Sequence, residues 1–383
     1  MLEIKVDNSI SSITETDNIL NALLDFINQK APLGKIAIFY NEKTDFSRAI
    51  NLGEKLKNTN KILYYVLGDE EVFSIDNLCH LFNLHEDIRL CIALDEKSKN
   101  TAKYFSFVRN IPFIYLTSHL EFDEVNAPLF VKNGERIDRI NCDIIKQIIF
   151  TENLLEFKPQ LFAYIIDKIF SIFDYYITCL FFSKEYLDKQ AKEILSFLNR
   201  ANFLLLNEDY SSLKVRNEIL NNILNAIKID MQNEKVFFQS SAVSFLSSVV
   251  NKRFDCGKKL YLDCLILLYL KKAVSEQGGY LPNYNERAEK ISKVFNIKIV
   301  QPLEVIKKQL DDFNNSNSEN LQKLNFALNK CESFLVLAKK NYLKLGGKTH
   351  KITQKEKDAL NICGDFLSTN IMSVIRESYL IKN

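Results

Sequence analysis

Two regimes of apolar spacing divide the chain. Through residue 150, short apolar runs alternate with segments whose apolar residues recur every three or four positions. The runs at 35–40 (KIAIFY), 61–67 (KILYYVL), 88–94 (IRLCIAL) and 112–116 (PFIYL) read as strands. Helical patterns fall at 12–29, 46–58, 74–82 and 101–109. Continuous apolar strands separated by helices indicate a parallel sheet covered on both faces. Such a sheet is doubly wound, and its ligand edge is the carboxyl end of the strands. Asn133-Gly134, between FVK and ERIDRI, signals a hairpin, and 144–150 reads as a further buried strand.

After Pro159 the pattern is helical to the end, near 160–182, 184–206, 212–231, 234–252, 258–277, 284–296, 301–313, 318–344 and 354–380. Gly278-Gly279, Pro282 and Gly346-Gly347 mark turns. No fixed repeat period runs through this half, which argues against a solenoid. The expected fold class is α/β plus all-α. A doubly wound, mostly parallel sheet domain at 1–152 precedes an all-helical domain at 153–383, with the cleft between them as the default pocket.

The stretch 151–178 (TENLLEFKPQLFAYIIDKIFSIFDYYIT) stands out. It is apolar on nearly every side of a helix, so it belongs in the middle of a domain. Yet it carries Asp167 and Asp174 with Ser171 between them, and these spacings put all three on one face. A buried carboxylate needs compensation. The face therefore looks at a cation, a ligand, a basic side chain or water. The plainer alternative is a structural aspartate with a buried partner.

Composition narrows the function little. The chain has 383 residues, Lys and Arg total 50, and Asp and Glu total 48. A formal charge of +2 gives no electrostatic case for nucleic acid or an anionic membrane. The eight cysteines are scattered without a CxxC, as in a reducing cytoplasm. The first residues show no signal pattern, and no uncharged apolar stretch is long enough to span a membrane. In 258–277 (containing LYLDCLILLYL), Asp263 and flanking lysines mark a buried core helix. Abundant Asn, Lys, Ile and Phe reflect an AT-rich genome. The basic loop 344–357 reads as a solvated linker, with contact to phosphate or a partner as the alternative. No G-x-S-x-G, P-loop or H-E-x-x-H occurs.

Three segments carry a family resemblance. Residues 93–128 (ALDEKSKNTAKYFSFVRNIPFIYLTSHLEFDEVNAP) look like a glycine-triplet loop, a D-x-A-K-Y helix, an IPFI-x-x-P-T strand and a D-G loop. Residues 151–178 look like a segment leading from a strand-end aspartate into a metal-binding G-D-x-x-x-K helix. QSSAVSFLSSVV and DCGKKLYLDCLILLYL look like the S-G-x-E-H-x-x-S-H and H-G helices that supply two metal-binding histidines. In their order these segments resemble the dehydroquinate synthase-like superfamily. It includes the glycerol-1-phosphate dehydrogenases, glycerol dehydrogenases and iron-containing alcohol dehydrogenases.

Residue by residue, the resemblance implies a changed chemistry. Leu94, Asp95 and Glu96 stand where glycines would cradle the cofactor pyrophosphate. Asn100 replaces the motif's aspartate, while Ala102, Lys103, Tyr104 and Thr117 match. Asp123 matches the substrate-loop aspartate, with Glu124 in place of glycine. Asp167 matches the first metal ligand, but Phe245 and Cys256 hold the histidine positions, with Gly257 retained. Of the four histidines, His80, His85 and His350 read as surface residues, and His119 lies at a strand's carboxyl end. The resemblance implies a glycerol-1-phosphate dehydrogenase-like pseudoenzyme with eroded NAD and metal sites. It would be retained to bind a small phosphorylated or polyol ligand in the cleft, or a partner, as a homo-oligomer or with an active relative. No cofactor is then expected. The alternative is an active oxidoreductase or sugar-phosphate-converting enzyme, keeping NAD(P) and zinc or iron or working through Asp123, Asp167, Asp174 and Lys103.

Overall fold

The computed structural model describes residues 9–30, 34–57, 61–67, 87–94, 96–117, 129–133, 136–140, 146–151, 154–181, 185–233, 237–238, 254–275, 317–354 and 356–357. The helical expectations at 74–82, 284–296 and 301–313 lie outside these residues, as do nearly all of 234–252 and 354–380.

The strands are β1 (Ser9–Glu15), β2 (Lys35–Asn41), β3 (Lys61–Leu67), β4 (Ile88–Ala93), β5 (Phe113–Thr117), β6 (Leu129–Asn133), β7 (Arg136–Ile140) and β8 (Lys146–Thr151). Six of them form one sheet in the order β1-β8-β5-β4-β2-β3, with every pairing parallel. This is the expected doubly wound sheet. β6 and β7 form the antiparallel hairpin signalled by Asn133-Gly134.

The N-terminal segment corrects one expectation. The sequence pattern placed a helix over 12–29, but Ser9–Glu15 is an edge strand paired with β8, and helix α1 begins only at Ile19. Ile10, Ile13 and Thr14 are β-branched and suit a pleated surface. Asn18 sets the boundary as an N-cap, its side-chain oxygen accepting the Asn21 amide at 3.0 Å.

Helices α1 (Ile19–Lys30) and α2 (Glu42–Leu56) share one apolar core with the sheet. Ile19, Leu23, Ala49 and Leu52 pack with Ile38, Ile92, Ile114 and Ile148. Helix α3 (Glu96–Arg109) packs on β2, β4 and β5. There the Phe105 ring lies 5.4 Å from Phe39, which stacks on Tyr65 at 4.8 Å. Both α2 and α3 start earlier than their apolar periodicity indicated, because their first turns are polar.

The later helices are α4 (Lys158–Phe181), α5 (Asp188–Asn207), α6 (Leu213–Gln232), α7 (Cys256–Ser275) and α8 (Asn317–Lys344). Among the described residues no strand follows Thr151. Helices α4, α7 and α8 pack on one another. Helix α8 stops where Gly346 takes a φ of 89°, and the Gly347 amide returns to the Tyr342 carbonyl at 3.0 Å. The loop beyond it is largely exposed, as its charge suggested, but it is anchored to α7. Lys258 pairs with the buried Glu356 at 2.7 Å and donates to the Lys351 carbonyl.

The chain divides into two compact units, residues 1–156 with 204–228, and residues 157–203 with 229–383. A buried polar network explains why 204–228 group with the sheet. Glu15, at the end of β1, is 4% exposed and receives Arg216 Nε at 2.6 Å. Its other oxygen accepts the Leu154 amide at 3.0 Å. Asn217 bonds both backbone groups of Glu15, and Arg216 also donates to the Tyr210 and Ser211 carbonyls. The Tyr210 hydroxyl returns to the Leu154 carbonyl at 2.8 Å. Removing one member of a buried ion pair costs about 3–5 kcal/mol, whereas replacing both with apolar groups costs far less. Arg216→Ala is therefore expected to lower the urea midpoint sharply, and Glu15→Leu combined with Arg216→Met to recover much of the loss. Equal midpoints for wild type and Arg216→Ala would show that this network does not hold the segment.

Candidate functional site

Helix α4 is apolar all round, and Leu161, Phe162, Ile165, Ile166 and Phe170 are buried as expected. Asp167 and Asp174 are both fully buried, with Ser171 between them at 2% exposure. The shared face read from the sequence is present. Ser171 does not serve the carboxylate, however. Its hydroxyl donates to the Asp167 backbone carbonyl at 2.9 Å.

The charge on Asp167 is met by its neighbour in the chain. Lys168 Nζ lies 3.2 Å from Asp167 Oδ2, within ion-pair reach but off hydrogen-bond geometry. Adjacent helical positions diverge, so the long lysine side chain must curl back along the helix. Two rings line its path: the ammonium lies 5.1 Å from the Tyr164 ring and 5.7 Å from the Phe238 ring. Asp230, 1% exposed, fixes that second wall by accepting the Phe237 and Phe238 amides at 2.8 and 3.2 Å. Burial pulls the Lys168 pKa down, but Asp167 and Tyr164 outweigh it, and the net shift is upward. The ammonium is held charged inside the protein.

A third carboxylate belongs to the cluster and was not singled out from the sequence. Asp263, on α7, is fully buried, and neither of its oxygens meets a hydrogen-bond donor among the described residues. Burial raises its pKa well above the usual carboxylate range, and Asp167 and Asp174 add to the rise against the pull of Lys259 and Lys168. Burial therefore favours the neutral form of Asp263, whereas Asp167 faces a cation. The signal was present, since an acid inside LYLDCLILLYL demands a partner. It was read there only as evidence against a membrane span. Cys331 on α8 is pushed up by burial and then by Asp263, and Cys264 in the same way to about 11. Both thiols stay protonated.

Among the described residues these side chains supply few donors for a metal. Asp167 already faces an ammonium, and Cys256, half-buried, brings only a soft donor. No group of three metal-ligating side chains occurs among the described residues, and a catalytic zinc or iron needs about that number. Phe245, which carries no donor atom, lies outside the described residues. Gly257 survives for a packing reason: a Cβ there would lie 2.0 Å from the Tyr342 hydroxyl and 2.7 Å from His350 Nε2. His350 is thus half-buried rather than a surface residue. Its Nε2 faces both the Tyr342 hydroxyl at 3.2 Å and Asp255 at 3.6 Å. Both contacts fall on the same ring nitrogen.

In the sheet-bearing unit, Leu94 is 1% exposed and sits in the apolar core. Its amide donates to the Phe39 carbonyl at 3.1 Å, and its carbonyl accepts Arg48 at 3.2 Å. A pyrophosphate cradle needs free amides and no side chain, and Leu94 offers neither. Glu96 opens α3, and Asp95, Asp123 and His119 lie outside the described residues. Lys103 and Lys99 lie one turn apart on α3, each 4% exposed, with Lys99 Nζ 5.5 Å from the Tyr115 ring. Asn41, Thr117 and Thr151 close the carboxyl ends of β2, β5 and β8 and are buried. Asp167 and Asp174 are therefore brought together, with Asp263, while Lys103 belongs to the other unit.

The parallel six-stranded sheet followed by helices is a fold shared with solved alcohol and polyol dehydrogenases. The alcohol dehydrogenase ADH/D1 of a halo-thermophilic archaeon from a Red Sea brine pool matches with a TM-score of 0.53 and 12% identity, over 99% of both chains. A 1,3-propanediol oxidoreductase matches at 0.52 and 10% identity, over 97% of this chain and 98% of that one. The NADH-dependent butanol dehydrogenase A of Thermotoga maritima matches at 0.50 and 11%, over 98% of each. No protein-family model and no curated protein sequence matches the chain. At these identities the likeness is one of fold.

The state of Asp263 can be measured. Its folded pKa lies above the unfolded value of about 3.9. The stability it contributes is therefore complete below about pH 4 and is lost as pH rises toward the raised folded value. Asp263→Asn is expected to match wild type at low pH and to equal or exceed it at pH 8 in chemical denaturation. Asp167→Asn strands the Lys168 ammonium and should cost about 3–5 kcal/mol at pH 8. If Asp263→Asn is as costly as Asp167→Asn at pH 8, Asp263 is ionised and the assignment is wrong.

Proposed function

We propose that this chain is a non-catalytic or strongly altered relative of the glycerol-1-phosphate and polyol dehydrogenases, kept for binding rather than for hydride transfer. The observation that carries the reading is Leu94. Where the resemblance requires a glycine, the side chain is buried in the core and both backbone groups are engaged. Loss of the dinucleotide removes the redox partner. The Lys168 ammonium beside Asp167 argues in the same direction for the metal.

Thr117 at the carboxyl end of β5 and Lys99 and Lys103 on the adjoining helix α3 are polar or cationic and buried, a chemistry that would suit a small phosphorylated or polyol ligand. The same residues favour the second reading, an active oxidoreductase or sugar-phosphate-converting enzyme, because Lys103 and Thr117 match the family's own positions. Self-assembly, or assembly with an active relative, is compatible with the first reading.

Titration calorimetry with NADH, NADPH and a set of polyol phosphates, followed by a turnover assay with the same compounds, separates the two. The expected outcome is dinucleotide binding weaker than about 1 mM, no turnover, and a rise in melting temperature with polyol phosphates that disappears in Lys103→Met. Low-micromolar affinity for either dinucleotide, with turnover, would give the second reading the lead.

A further inference from the structure

The centre on α4 contains a cation of its own. We propose that Lys168 is the resident cation of the Asp167 carboxylate, a tethered ammonium standing beside the group that the resemblance makes a metal ligand. Two independent observations support this, and a third secures the second. The ammonium lies 3.2 Å from Asp167 Oδ2, with only 7% of the Lys168 side chain and 1% of the Asp167 side chain exposed. It faces the Tyr164 and Phe238 rings at 5.1 and 5.7 Å, a surround that favours a monovalent organic cation. The backbone that carries the Phe238 ring is held by Asp230, which accepts the Phe237 and Phe238 amides.

Those surroundings discriminate between cations. A divalent transition metal wants imidazole, thiolate or carboxylate donors at about 2.0–2.3 Å. Aromatic faces more than 5 Å away offer it no ligand. An ammonium, in contrast, is stabilised by π-faces together with one carboxylate. A tethered cation also costs no association entropy. It cannot be removed by a chelator and cannot exchange. The helical unit thus keeps the charge balance that a metal would give it, while the open coordination position that catalysis requires is absent.

The proposal rests on the reading above for the loss of metal chemistry, and the test distinguishes the two failures. Lys168→Ala removes three carbons and the nitrogen, which is the shape of propylammonium. The variant is expected to melt roughly 6–20 °C below wild type. Propylammonium at about 100 mM should restore at least half of that loss by occupying the space. 1-Propanol, its neutral counterpart, should not, and neither compound should shift wild type. Should Lys168→Ala fail to accumulate, denatured variant is refolded with and without propylammonium. Recovery of folded protein only with the amine supports the proposal, and equal yields overturn it. Lys168→Met gives a second reading, since it keeps the length and removes the charge. If it melts with wild type, or if propanol rescues Lys168→Ala as well as the amine does, Lys168 acts by packing and the proposal falls while the metal-free reading stands. One equivalent of zinc or iron in wild type, lost on Asp167→Ala, overturns both.

Discussion

A carboxylate taken out of water must be given a cation, a proton or a set of hydrogen bonds, because burial otherwise returns it to its neutral form. This chain meets that constraint differently at three positions. Glu15 is paired with Arg216 and receives a backbone amide. Asp167 is paired with an ammonium from its own helix. Asp263 has no donor among the described residues, and burial pushes it toward its neutral form. The first solution attaches residues 204–228 to the sheet, and the other two lie in the interior of the helical unit on α4 and α7.

The same constraint links this fold to its chemistry. A dehydrogenase of this architecture needs an open cation site and an open phosphate cradle. Here the aspartate that would face the cation faces a lysine, and the residue that would leave space for phosphate is a buried leucine. Both changes increase the content of the interior. An extra side chain enters the core at Leu94, and an ammonium enters the helical centre at Lys168. On the reading proposed above, such changes would fill vacancies that catalysis uses while leaving the frame intact, since a fold does not by itself fix an activity.

Much of the architecture was legible in the residues. The strands over 35–41, 61–67, 88–93 and 113–117 follow from continuous apolar runs. The hairpin follows from Asn-Gly, and the long helices 158–181 and 317–344 follow from their periodicity. The helix proposed over 12–29 failed in its first third. Strand β1 carries little apolar signal of its own and exists because β8 offers it a parallel partner. The polar first turns of α2 and α3 escaped for a related reason, since solvated residues leave no trace in a hydrophobic pattern. Within the site, the shared face of Asp167, Ser171 and Asp174 was legible from helical spacing alone.

The sequence by itself determined where the chain can be helical or extended, and that acids lie inside apolar helices. Both are local properties, set by the period of the backbone and by the cost of desolvation. Only the tertiary structure decided which partner answered each acid. Asp263 joins Asp167 and Asp174 because α7 packs on α4. Lys168 turns back to Asp167 beside aromatic walls, one of which Asp230 fixes from a distant part of the chain. A charge interacts with whatever lies within a few ångströms, and in a folded chain that neighbourhood is assembled from segments far apart in sequence.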